Sequence, residues 1–108
     1  MTCEDTKPRV RLAWEVQLHE PFSGVWICRA YGRATTTAKP ADIARAALAG
    51  HLAANPPRYG ETFRAVARTD TGLEATVTGD QLPDGQELDP AVYEALPLYL
   101  RDALQAAG

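Results

Sequence analysis

The stretch RVRLAWEVQLH at residues 9–19 decides the fold of this chain, because apolar and polar side chains alternate along it without a break. A period of two over this length is typical of a β-strand with one buried and one exposed face. The face that we predict to be buried carries the apolar residues Val10, Leu12, Trp14, Val16 and Leu18. The residues between them should form an open, more polar face.

A turn and a second strand follow this stretch. Residues 20–24 contain Pro, Ser and Gly, which favour turns, and residues 25–34 are rich in side chains that favour strands. If the two strands close as a hairpin, Trp26, Cys28 and Ala30 share the buried face of the first strand. We therefore expect Cys28 in the core.

A helix and a second hairpin come next along the chain. Pro40 can open a helix that runs to about Ala54, and the Asn55-Pro56-Pro57 segment stops it. Residues 62–68 and 73–78 are predicted to be strands joined by a turn at Asp70-Thr71-Gly72.

The last third of the chain favours helix interrupted by a loop and a proline. A turn is predicted at Pro83-Asp84-Gly85, and Asp89 can cap a helix that begins at Pro90. Pro97 lacks the N–H that a continuous helix needs, so we predict one helix at 90–95 and another from Pro97 to about residue 106.

This order predicts a single α+β domain over residues 9–108, preceded by a flexible tail at residues 1–8. The simplest packing is a four-stranded, mainly antiparallel sheet with the helices on one face. The order strand–strand–helix is similar to the start of HicB-type antitoxins. The Pro-Gly-Cys loop typical of that family is absent here, so the similarity assigns no residue a role.

Composition bears on the setting of the protein. Two cysteines form no disulfide framework, no secretory pattern opens the sequence, and no apolar run reaches the roughly 20 residues of a membrane helix. We expect a cytoplasmic protein with no membrane contact. Nine arginines against two lysines indicate a GC-rich genome, and we expect a bacterial source.

Charge is sorted along the chain. Residues 1–68 hold ten basic and six acidic side chains, whereas residues 69–108 hold one basic and eight acidic ones. Basic side chains gather on the open face of the first hairpin, beside an aromatic ring. The candidates for binding a partner or an anion are Arg9, Arg11, Ile27, Arg29, Tyr31 and Arg33. The alternative is an ordinary solvated face, on which Arg29 pairs with Glu15 across the strands.

The sequence contains no convincing metal or catalytic motif. Neither the histidines nor the cysteines have zinc-ligand spacing, and we expect no metal or cofactor. A protonated His51 is expected to interact with the last carbonyls of its helix. Asp70-Thr71-Gly72 resembles the triplet that carries the catalytic aspartate of aspartic proteases. A tight hairpin turn favours the same three residues.

Three functions stay open at this point. The first is a non-enzymatic binding or regulatory protein that acts through protein–protein contacts, including a dimer formed through the first hairpin or the terminal helix. The second is a nucleic-acid-binding module, for which the candidates are Arg9, Arg11, Arg29, Arg33 and Arg64; an isoelectric point near 5.3 argues against it. The third is a small enzyme whose site no motif marks.

Overall fold

The computed structural model describes residues 9–82 and 89–107. The first half of the fold is built from β1 (Val10–His19), β2 (Trp26–Thr36) and α1 (Pro40–Ala54). The second half contains β3 (Phe63–Thr69), β4 (Glu74–Thr78), a 3-10 turn (Gly79–Gln81), α2 (Pro90–Ala95) and α3 (Leu98–Ala107). The predicted tail at residues 1–8 and the predicted turn Pro83-Asp84-Gly85 lie outside the described residues.

The four strands form one antiparallel sheet in the order β2-β1-β3-β4. β1 is central and pairs with β2 on one side and β3 on the other, so the most regular alternating stretch of the sequence organises the sheet. The predicted α+β fold class is confirmed. No helix in the described part of the chain is both long and apolar enough to span a membrane.

The core lies between the sheet and the helices. Trp14 and Val16 of β1 face Ile43 and Leu48 of α1, and all four side chains are fully buried. The Trp14 ring extends across Gly32, its partner on β2; a Cβ atom placed on Gly32 would lie 2.5 Å from Trp14 Cζ2. The absence of a side chain at residue 32 therefore makes room for the largest residue of the core.

The terminal helices are divided as predicted. Asp89 accepts a hydrogen bond from the Ala91 backbone N–H at 2.8 Å and so caps α2. The chain turns at Pro97, and Arg101 of α3 donates back to the carbonyl oxygens of Leu96 and Glu94, each at 2.8 Å. Arg101, the only basic residue after Arg68 in the sequence, thus donates hydrogen bonds to carbonyl groups at the end of α2, where a helix has no further N–H donors of its own.

The β1–β2 register corrects one prediction. Val16 pairs with Ala30 and Gln17 pairs with Cys28, which leaves Arg29 as an extra residue on β2. This β-bulge reverses the inward and outward positions on its N-terminal side. The expectation that Cys28 lies in the core is wrong, because Cys28 is exposed opposite Gln17.

The end of α1 corrects another prediction. The carbonyl of His51 accepts hydrogen bonds from the Asn55 backbone N–H at 2.8 Å and from Asn55 Nδ2 at 3.2 Å. The His51 ring is buried and lies 5.7 Å from the Phe63 ring. Burial, and secondarily the charge of Arg29, lower the pKa of His51. The structure therefore favours a neutral, packed imidazole over a protonated cap.

Candidate functional site

The face of the sheet opposite the helices carries a row of side chains centred on Ala13. Ala13 pairs with Arg33 of β2 on one side and with Arg68 of β3 on the other. Arg11, two residues before Ala13 on the same face, pairs with Thr35 and is therefore a diagonal neighbour of Arg33, about 7 Å away. A small side chain thus lies among three guanidinium groups.

These residues line an open depression of about 750 Å³. Four arginines and three carboxylates contribute to its wall: Arg11, Arg33, Arg64, Arg68, Glu15, Asp70 and Glu74. The depression lies on the open face and is built from all four strands. Its charge pattern is mixed, so the way each arginine is engaged decides what the surface can bind.

Two of the four arginines are held by neighbouring side chains. Arg68 forms an ion pair with Glu74 on β4, through Nε at 2.7 Å and through Nη2. Arg64 donates from Nε to Gln17 Oε1 at 2.6 Å, and its guanidinium carbon lies 4.0 Å from the centre of the Trp26 ring. These contacts fix the side of the depression formed by β3 and β4.

The other two arginines, Arg11 and Arg33, have no side-chain hydrogen bond or ion pair with any described residue. Both line the same depression, next to Ala13, on neighbouring strands. An unpaired guanidinium offers up to five donors in a planar fork that matches a carboxylate or a phosphate. This pair is the part of the site with the largest unused capacity to bind an anion.

The next row towards the hairpin turn contains Tyr31 opposite Glu15. Tyr31 is 76% exposed, so most of its ring is available for contact. Cys28 lies one row further, and its thiol pKa is raised by desolvation and then by the nearby Glu15 carboxylate. A thiol with a raised pKa is a weak nucleophile at neutral pH, and we assign it no chemical role.

The six predicted site residues do not all come together. Arg11, Tyr31 and Arg33 lie on the open face, and Arg9 is exposed directly before β1. Ile27 instead pairs with Leu18, whose side chain packs against the core. Arg29 lies in the bulge, where its charge acts on His51.

Two arginines outside those six residues, Arg64 and Arg68, belong to the depression. The alternation of β3 between buried and less buried residues places them on the open face, and that pattern is visible in the sequence. Trp26 also lies on this face, opposite His19, with the two ring centres 4.9 Å apart. The bulge is the reason that the hairpin pattern placed Trp26 on the other face.

Asp70-Thr71-Gly72 forms the turn between β3 and β4. Gly72 has a φ of 97° and donates its backbone N–H to Thr69 O at 3.1 Å. Asp70 lines the depression, and no hydrogen bond joins its carboxylate to another aspartate in the described residues. The structure therefore accounts for the triplet as a hairpin turn.

No group of three or more potential metal ligands occurs in residues 9–82 and 89–107. No family model, curated protein or solved structure shows a significant match to the chain.

Proposed function

We propose that this chain is a non-enzymatic cytoplasmic binding domain that acts through protein–protein contacts, with the open sheet face receiving an acidic segment of a partner protein. The observation that carries the proposal is the pair Arg11 and Arg33, which lie next to Ala13 and have no side-chain partner among the described residues. An arginine pair of this kind favours bidentate contacts with carboxylates.

The surroundings of the pair support a peptide ligand. Glu15, Asp70 and Glu74 lie around the depression, so a uniformly charged polyanion would meet repulsion as well as attraction. A peptide with an acidic side chain next to polar or apolar ones can place its carboxylate between Arg11 and Arg33. Its neighbouring residues can then contact Ala13 and the exposed ring of Tyr31.

Isothermal titration calorimetry with a mixed-sequence peptide rich in Asp and Glu tests this proposal. Arg11→Ala and Arg33→Ala should each weaken binding about 10-fold or more, because each removes a charge-assisted contact. Arg45→Ala is the matched control, since Arg45 lies on α1 and is paired with Asp42 at 3.0 Å. Absence of binding at low salt, or an equal loss in the control, contradicts the proposal.

Binding of single-stranded nucleic acid is a second candidate, supported by the exposure of Tyr31 one row from Arg33, whose guanidinium has no side-chain partner among the described residues. A base can stack on the Tyr31 ring while a phosphate contacts Arg33. Tyr31→Ala should then weaken the binding of a mixed-sequence RNA oligonucleotide more than it weakens peptide binding. The affinity for RNA should also fall steeply with salt.

A further inference from the structure

The outer edge of β2 carries backbone groups that no strand in the described part of the chain pairs. His19 N–H bonds to Thr62 O and Asp70 N–H bonds to Arg11 O, so the odd-numbered residues of β1 direct their backbone groups towards β3. The even-numbered ones then bond to β2. On the C-terminal side of the bulge, even-numbered residues of β1 pair with even-numbered residues of β2. The N–H and C=O groups of residues 31, 33 and 35 therefore point away from β1, towards the open edge of the sheet.

This edge lacks most of the features that protect sheet edges from pairing. Protected edges are short, or they carry proline, bulges or charged side chains, most often lysine. The other edge strand, β4, has five residues, whereas β2 has eleven. The bulge of β2 lies at Arg29, so residues 30–36 form a regular open edge that has no lysine or proline and only one charged side chain, Arg33.

We propose that a second copy of this chain pairs with β2 in antiparallel orientation, about a two-fold axis at Gly32. The two four-stranded sheets then become one continuous eight-stranded sheet. In this register Tyr31 lies directly opposite Arg33 of the partner subunit, and the same pair occurs twice by symmetry. Each pair places a cation beside an aromatic ring on the open face, with backbone hydrogen bonds beneath it.

Charge selects this register among those that the outward backbone groups allow. An axis at Arg33 would place two copies of that guanidinium opposite each other, and an axis at Tyr31 would place Arg33 opposite the partner's Arg29. An axis at Ala34 avoids both clashes and also pairs five regular residues, but it places Tyr31 opposite residue 37, beyond the end of β2 at Thr36. The axis at Gly32 is the one that pairs Tyr31 with the partner's Arg33 without opposing like charges.

The pairing would also complete the depression on the open face. In the described part of a single chain no strand lies beyond Arg33 on the β2 side, and the ring of the partner's Tyr31 would lie next to it. The two depressions of the dimer would then adjoin across the axis. The dimer itself does not depend on the proposed peptide ligand, so its test is separate from the calorimetry.

Disulfide trapping tests the register directly. In a background with Cys3→Ser and Cys28→Ser, the single variants Tyr31→Cys and Arg33→Cys are mixed and oxidised. A covalent dimer should form in the mixture much faster than in either variant alone, because directly opposed residues have Cα atoms within disulfide range. Trapping of Tyr31→Cys with itself, or of Tyr31→Cys with Thr35→Cys, as the fastest reaction overturns the proposed register.

Sedimentation equilibrium tests the dimer without cross-linking. Tyr31→Lys places a lysine opposite the partner's Arg33 at two symmetric positions and should raise the dimer dissociation constant about 10-fold or more. Tyr59→Lys is the matched control, because Tyr59 is a fully exposed tyrosine in the loop before β3. A wild-type chain that is monomeric at about 100 μM, or an equal effect of the control, overturns the inference.

Discussion

Replacing Gly32 with alanine should destabilise the fold by about 1–2 kcal/mol. The new Cβ atom would lie 2.5 Å from Cζ2, 2.7 Å from Cε2 and 2.9 Å from Nε1 of Trp14. Carbon atoms in contact are normally about 3.5–4.0 Å apart, so the ring or the strand must move by about 1 Å. Trp14 is only 1% exposed and is surrounded by core side chains, so little free space is available for this movement.

The magnitude follows from two opposing effects. Adding a methyl group to a filled core costs about 1–3 kcal/mol. Replacing glycine with alanine restricts the unfolded chain and returns about 0.4–1 kcal/mol. The net loss corresponds to a fall in melting temperature of roughly 5–15 °C for a domain of this size.

Urea denaturation followed by circular dichroism measures the effect. Gly79→Ala is the control, because the nearest atom to its new Cβ is the Phe63 carbonyl oxygen at an ordinary 3.9 Å, and its stability should change by less than about 0.5 kcal/mol. Combining Gly32→Ala with Trp14→Phe should cost less than the two single changes added together, since phenylalanine lacks the crowded atoms. A Gly32→Ala variant as stable as the wild type refutes this account of the packing.

Three further predictions concern individual side chains. Because burial lowers the pKa of His51, the unfolded chain takes up a proton at a higher pH than the folded chain does. Stability should therefore fall as the pH drops through about 6.5, and His51→Gln should reduce that fall. In a Cys3→Ser background, Glu15→Gln should speed the alkylation of Cys28 near pH 8, because it removes a carboxylate that raises the thiol pKa. An unchanged alkylation rate would contradict the contact between Glu15 and Cys28. Arg101→Ala should destabilise the fold by about 1–3 kcal/mol in thermal unfolding because two carbonyls of the α2 end lose their donor, whereas Arg101→Lys should recover part of the loss.

Local sequence signals predicted most of the fold. The alternation in residues 10–18 is the burial pattern of β1, in which Leu12, Trp14 and Val16 are buried. Pro40 and Pro90 open the helices that they were expected to open, and Pro97 separates α2 from α3. In each case a short-range property, side-chain period or the missing proline N–H, decides the outcome.

The candidate site was only partly predictable, because one extra residue changes the alternation of β2. On the C-terminal side of the bulge, Tyr31 and Arg33 are on the expected face. On its N-terminal side, Cys28 and Ile27 are exchanged relative to the prediction. A bulge is set by how two strands pair, and neither a glycine nor a proline in β2 marks this one at Arg29.

Pairing between distant strands also decided which arginines act together. Arg33 and Arg68 are brought to either side of Ala13 by two separate ladders, and the order β2-β1-β3 determines that arrangement. The sequence shows that each strand alternates but not which strands are neighbours. The position of Trp14 over Gly32 depends on the same pairing.

The placement of the two tryptophans gives the chain two independent optical signals. Trp14 is buried in the core and its Nε1 has no hydrogen-bond partner among the described residues, so its fluorescence should be that of an indole in an apolar medium and should shift to the red on unfolding. Trp26 lies on the open face between His19 and Arg64, so its emission should respond to any ligand that displaces the guanidinium. A Trp14→Phe chain would report occupancy of the sheet surface alone, and a Trp26→Phe chain would report the integrity of the core alone, both without an added label.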